Sequence, residues 1–279
     1  MYAPCNDNAP QERSKQSMKK IFVAGASGNV GRTILKGLKE RQDMELVGGF
    51  CAEEGQDLGV LAGGEPQGVT AYTDLAKGLD ECAPDMVIDF TSASILMDNI
   101  RTYADLGLDA VIGTTGLSQD DAFEVEHMVE EGLLRFAVIP NFGLGITLLM
   151  DFLEKARAFY PYVSITDRHP VSMANAPSGT AAMLAENLPE GPRGEVRSKE
   201  VYPGVLGGTI ASYPVHSQRF PYPGPFSEHE IMLGRQDEVI RITISDFTSA
   251  VYLDGIFMAV NTLAESPGGT LIRTLGEML

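Results

Sequence analysis

The chain has 279 residues, enough for two modest domains with real cores. Hydrophobic residues make up 44% and charged residues 21%, the mix of a folded globular protein and not of a disordered chain. With 38 acidic against 21 basic residues the net charge is −17, so the surface repels phosphate backbones and anionic membranes, and nucleic acid is a poor partner.

No run reaches the length of apolar residues that a membrane-spanning helix needs. Cys5, Cys51 and Cys82 are too few and too scattered for a disulfide framework or a zinc cluster, which points to a reducing cytoplasm. Residues 1–18 are polar, carry two prolines and lack the apolar stretch of a signal peptide. They read as a disordered tail.

Residues 21–25, IFVAG, form a short apolar run fit for a buried strand. GASGNVG follows, with Gly25, Gly28 and Gly31 spaced GxxGxxG, and then a helical pattern with Val30, Ile34 and Leu38 on one face. The spacing has a physical use. Gly25 makes a tight turn, Gly28 lets the backbone approach a pyrophosphate, and Gly31 lets the helix sit close to the sheet. Ser27, Asn29 and Val30 complete the loop, whose helix N-terminus aims free N–H groups at phosphates. The same glycines also suit a purely structural turn. The strand before them and the helix after them favour a dinucleotide.

The second strand ends GGFCAEEG, which places Phe50 and Cys51 where a ribose is normally read. Glu53 or Glu54 can reach that place, and Arg32 is the nearest basic group. The balance leans to NADH over NADPH without settling it. The βα rhythm continues with strands at 86–90, 109–112 and 134–139. Small and polar residues gather after each, at Thr91 and Ser92, at Gly113 to Gly116, and at Pro140 to Gly143. Those are the strand ends where a doubly wound sheet places its ligand loops.

After residue 142 the rhythm changes. A long helix over 143–160 leads to the strand YVSIT and then to Asp167, Arg168 and His169. APSGT at 176–180 opens the helix AAMLAENL, and its backbone N–H groups make a second anion nest suited to a carboxylate. Residues 208–217 and 228–245 alternate like strands around the rigid loop RFPYPGPF. Residues 249–264 turn helical, and TLIRTLGEML reads as another helical turn or two. The expected fold is a Rossmann-like doubly wound parallel sheet with a second α+β domain carrying an open mixed sheet.

These motifs together resemble the 4-hydroxy-tetrahydrodipicolinate (dihydrodipicolinate) reductases of bacterial lysine and diaminopimelate synthesis. The resemblance rests on VAGASGNVGR at 23–32, VIDFT at 87–91, GTTG at 113–116, NFGLG at 141–145 and APSGTA at 176–181, and runs from about Lys19 to the end. It implies a dinucleotide-binding domain over 19–141, a substrate and oligomerisation domain over 142–250, and a C-terminal segment over 251–279 returning to the first domain. It also implies a homotetramer and hydride transfer from NADH or NADPH to a cyclic imine. Residue by residue, His169 takes the place of the catalytic acid, and Ser178, Gly179 and Thr180 the substrate carboxylate site. Phe90, Gly113, Thr115, Asn141 and Phe142 fall on the nicotinamide-contact loops, with Cys51 beside the ribose.

The departures bear on substrate. The family pattern is roughly E-x-H-H-x-x-K-x-D-A-P-S-G-T, whereas this chain has Asp167, His169, Pro170, Met173 and Asn175 at the first five of those fixed positions. The lysine is therefore Met173, and the arginine of the family's later H-K-A-S-S-R strand is Ser249. Two cations that would clamp a dicarboxylate are replaced. Met173 and Ser249 are kept as substrate-site positions.

Other histidines weigh less. His169 is the acid or a loop histidine held by packing, and Asp167 can orient it. His229 in SEHE reads as structural before catalytic, and His127 in an acidic helix as surface. No group has metal-ligand spacing. Three readings follow: a reductase of a related, less charged C=N or C=O compound, an authentic lysine-pathway reductase, and a non-catalytic nicotinamide-binding protein. The first fits the residues best.

Overall fold

The structure is a computed structural model that describes residues 18–194, 197–221 and 224–279. The expected tail over 1–18 falls, but for Met18, outside the described residues.

The first half alternates strands and helices: β1 (Lys19–Ala24), α1 (Asn29–Lys39), β2 (Met44–Phe50), α2 (Leu58–Leu61), β3 (Ala71–Tyr72), α3 (Leu75–Cys82), β4 (Met86–Asp89), α4 (Leu96–Asp105), β5 (Asp109–Ile112), α5 (Gln119–Gly132) and β6 (Arg135–Val138). Then come α6 (Leu144–Ala156), β7 (Tyr162–Pro170), α7 (Gly179–Glu186), β8 (Gly208–Ile210), β9 (Tyr213–Phe220), β10 (Ser227–Arg235), β11 (Glu238–Asp246), a 3-10 turn (Ser249–Tyr252), α8 (Leu253–Glu265), β12 (Thr270–Ile272) and a closing 3-10 turn (Leu275–Met278).

The first sheet runs β12-β6-β5-β4-β1-β2-β3, with every pairing parallel. Parallel strands must be covered on both faces, and β4 and β5 are buried at every residue. One face packs Ile34, Leu35 and Leu38 of α1 with Ile256, Val260 and Leu263 of α8. The other packs Leu79 of α3, Ile100 of α4 and Val125 of α5. Strand order reverses direction between β1 and β4, which opens a crevice at their carboxyl ends.

The second sheet is mixed, in the order β11-β10-β7-β9-β8. Its inner face packs Val163, Ile165, Val215, Ile231 and Leu233 against Leu149 and Leu153 of α6 and Leu184 of α7. The register sets the site. Asp167 lies opposite His229 on β10 and Ser217 on β9, and His169 lies opposite Arg219. By alternation all five share the inner face with Ile165. Arg168 points to the outer face, where it meets Glu228 at 2.8 Å and Glu230 at 3.1 Å, as alternation along the strand predicts.

One sequence expectation needs correction. Thr270–Ile272 is a strand and not a helical turn, because it completes the first sheet by pairing with β6. A strand that short has no periodicity to reveal it. Residues 208–217 lie in strands as expected, divided in two where Ala211 and Ser212 take positive φ in the turn between β8 and β9.

Candidate active site

The β1–α1 turn is shaped for a backbone-held anion. Gly25 has φ +81, and a Cβ there would run into the Phe90 carbonyl. A Cβ on Gly31 would strike the Gly25 carbonyl, so glycine is what lets α1 start so close to β1. α1 has Gly28 as N-cap, no side-chain cap and no acid in its first turn, which leaves its N–H groups for a ligand. Ser27, Asn29 and Val30 lie in this turn or the first helical residues. Cys51 is buried directly after β2. Beside it, Ser27 and Cys51 hold the Glu53 carboxyl below the usual carboxylate range, helped by Arg32. Glu53 Oε2 is a buried oxygen without a hydrogen-bond partner.

Phe90, Gly113 and Phe142 meet across the crevice. The Phe90 ring packs where a Gly113 Cβ would be, and its centroid is 5.7 Å from that of Phe142. Beneath them sits Asp89, fully buried. Its carboxylate accepts from Thr91 N and Oγ1, Thr114 Oγ1, Asn99 Nδ2 and Tyr103 Oη, at 2.7–3.0 Å. Asp89 thus ties together the loops that follow β4 and β5. Burial and then the Asp89 charge push the Tyr103 hydroxyl well above its ordinary value. The sequence reading missed this carboxylate. The signal was an acid inside the otherwise apolar run MVIDF.

Between the two sheets lies a cavity of about 640 Å³. The first domain contributes Thr115 and Asn141, and the second contributes His169, Met173, Ser178, Gly179, Thr180 and His229. Asn141 joins the halves, with its Nδ2 donating to Thr180 Oγ1 at 3.2 Å. Ser178 caps α7 through the Ala181 N–H.

Asp167 is the hub on the cavity floor. It is fully buried, beside His169 at 6% and His229 at 2% exposure. Its Oδ2 accepts from Ser178 N at 3.2 Å and Ser217 Oγ at 3.1 Å, with Arg219 at 3.5 Å. Its Oδ1 lies 2.8 Å from His169 Nδ1 and 3.6 Å from His229 Nε2. The His169 N–H is not well aimed at that oxygen, so we read the pair as a charge contact. Burial opposes the Asp167 charge, yet His169 and Ser178 outweigh it and hold the carboxyl far below its usual range. His229 is hydrogen bonded to Ser178 Oγ at 3.1 Å. Burial lowers its proton affinity, against the pull of Asp167.

Three sequence expectations change here. His229 sits in the site and not at a remote structural position. Its signal was legible, since alternation in EHEIML sets it on one face with Ile231 and Leu233. Asp167, His169 and His229 offer ligand atoms within 4.8 Å of one another, so a group with reach for a metal does exist among the described residues. Arg219 already balances part of its charge. Ser249 lies outside the cavity lining, and its hydroxyl shares a 2.6 Å hydrogen bond with Thr33 of α1. The chain turns into the 3-10 segment there, which carries Ser249 away from the cavity.

Comparison with known proteins adds the family. The model of the dihydrodipicolinate reductase N-terminus matches residues 19–142, and that of its C-terminus matches 145–279. The chain belongs to the dihydrodipicolinate reductase family. It is an oxidoreductase using NAD(P)H.

It is 32% identical to a 4-hydroxy-tetrahydrodipicolinate reductase of Moorella thermoacetica, over 89% of this chain and 94% of that one. It is also 32% identical to one from Synechococcus elongatus, over 93% and 98%. The structure of a dipicolinate-bound dihydrodipicolinate reductase from a Paenisporosarcina species superposes with TM-score 0.78 at 25% identity, covering 94% of this chain and all of that one. An amine dehydrogenase from Mycobacterium smegmatis shares the fold, with TM-score 0.65 at 14% identity. Among the described residues no helix is long and apolar enough to cross a membrane.

Proposed function

We propose that this member of the family reduces the C=N bond of a small cyclic imine carboxylate, with His169 as proton donor. The observation that carries this reading is the convergence at one cavity of His169, backed by Asp167, with the Ser178–Thr180 helix start and the cofactor-side residues Thr115 and Asn141. The dihydronicotinamide, when bound, supplies the hydride for the imine carbon.

The protein's part is charge and geometry. Asp167 faces the His169 Nδ1 side, which leaves Nε2 for substrate. His169 then gives its proton to the nitrogen as that atom gains the electron pair of the C=N bond. The N–H groups at the start of α7 hold the substrate carboxylate. Asn141 aligns that helix start with the cofactor side. Met173 borders the substrate, whereas the place of Ser249 argues for a packing role against α1.

Glu53 supports NADH over NADPH. A carboxylate beside the ribose end of the loop accepts from hydroxyls and repels a 2′-phosphate. Gly25, Gly28 and Gly31 would carry the pyrophosphate. Cytoplasmic placement suits the free Cys51 and Cys82, and a homotetramer is what membership of the family suggests.

The full-length similarity to 4-hydroxy-tetrahydrodipicolinate reductases favours a second reading, in which the substrate is that same dicarboxylate. The test of the reaction is NADH and NADPH oxidation with a panel of cyclic imines, for the wild type and His169→Gln. We expect His169→Gln to lower kcat by about a hundredfold, the usual scale for a general acid. Equal rates in the two proteins would remove His169 from the mechanism.

A further inference from the structure

We infer that the site takes a cyclic imine bearing one carboxylate and an uncharged opposite end, in preference to a dicarboxylate. The inference rests on the imine-reducing reading above and specifies its substrate.

Among the described residues, the cavity lining contains no lysine or arginine. One place in it suits an anion. At the start of α7 the Ala181 N–H is capped by Ser178 and the Ala182 N–H is bonded to the Ser178 carbonyl. The Gly179 and Thr180 N–H groups have no partner within the helix. His169 and His229, both more than nine-tenths buried, line the same cavity, and His229 Nδ1 has no partner. A carboxylate at this helix start would meet the partial positive charge of the N-terminus and a protonated His169.

Among the described residues nothing comparable serves a second carboxylate. The remaining walls carry no charge: their large side chains are Met173, Met183, Phe226 and Tyr252, set among neutral residues such as Asn141 and Ser172. A charge that reaches these walls has the wrong sign. Ser227, also in the lining, donates to Asp246 at 2.8 Å, and the Asp246 charge is felt at both Tyr252 and His229. Arg219, the cation beside the floor, is spent on Asp167 and the Asn175 carbonyl. Arg168 faces the other side of the sheet. One anion is therefore balanced and a second is set against uncharged walls with an acid behind them, which is costly to bury.

The experiment compares 1-piperideine-2-carboxylate with 4-hydroxy-tetrahydrodipicolinate as substrates for NADH oxidation. It also compares picolinate with dipicolinate as unreactive ligands, by calorimetry in the presence of NAD⁺. We expect kcat/KM for the monocarboxylate to exceed that for the dicarboxylate by about tenfold or more, and picolinate to bind more tightly than dipicolinate. Met173→Lys, which adds a cation to the apolar wall, should move both ratios toward the dicarboxylate. Equal or better use of the dicarboxylate by the wild type would overturn the inference and leave imine reduction standing. Tighter picolinate binding with neither imine reduced would uphold the charge assignment and remove imine reduction. Tighter dipicolinate binding, or no binding of either acid and no turnover, would overturn the inference.

Discussion

Asp167→Asn is the sharpest test of the buried cluster. The amide keeps the size of the carboxylate and removes its charge. Whichever way it sits, its NH₂ group meets the wrong neighbours. Turned toward Oδ2 it faces the donors Ser178 N and Arg219. Turned toward Oδ1 it faces His169 Nδ1, which must then be unprotonated to accept. His169 could then release a proton from Nε2 only by becoming an anion, so it stops being a useful acid. A charged contact of this kind is worth about 1.5–3 kcal/mol, which corresponds to a fall in kcat of roughly 10- to 150-fold. Steady-state NADH oxidation with the best imine substrate reads this directly, and KM for NADH should stay near wild type. A variant that keeps kcat within about twofold, less than 0.5 kcal/mol, would refute the role given to Asp167.

Asp89→Asn should raise KM for the cofactor more than it lowers kcat, and should lower Tm, because an amide NH₂ replaces one of the two oxygens that accept from five donors; each buried group left unsatisfied costs about 1–3 kcal/mol. Ser249→Ala should leave the substrate KM within about twofold, under 0.5 kcal/mol, and cost only a little Tm through the lost Thr33 bond. His229 has a lowered proton affinity in the fold, so it favours the folded state above its unfolded value of about 6.5 and that stability drains as pH falls below it. Wild type should therefore lose more Tm than His229→Gln between about pH 7.5 and pH 5, measured by calorimetry. Glu53→Gln should improve kcat/KM with NADPH relative to NADH by about tenfold, the scale of one lost charge repulsion.

Local chemistry made much of this protein readable from the chain. The glycine spacing at Gly25, Gly28 and Gly31 is dictated by steric limits within a single turn, and the structure shows the carbonyls that enforce two of them. The parallel sheet announces itself because strands covered on both faces must be largely apolar, as the MVI of β4 and the AVI of β5 are. Alternation placed Arg168 on the outer face. Applied with equal weight to EHEIML, it would have put His229 in the site.

What remained hidden depends on partners distant in sequence. β12 is a strand only because β6 offers it an open edge. Ser249 aligns with a substrate arginine by position, yet the turn before α8 aims it at Thr33. The cluster of Asp167, His169, Ser178, Ser217, Arg219 and His229 draws on three strands and a helix cap, and no single segment contains enough of it to be recognised. Sequence by itself determined which backbone conformations and which buried faces each segment could adopt, because sterics and hydrophobic period act over a few residues. Tertiary structure decided which polar groups share a cavity and which charges they leave unbalanced, because strand register alone brings those residues within hydrogen-bond reach.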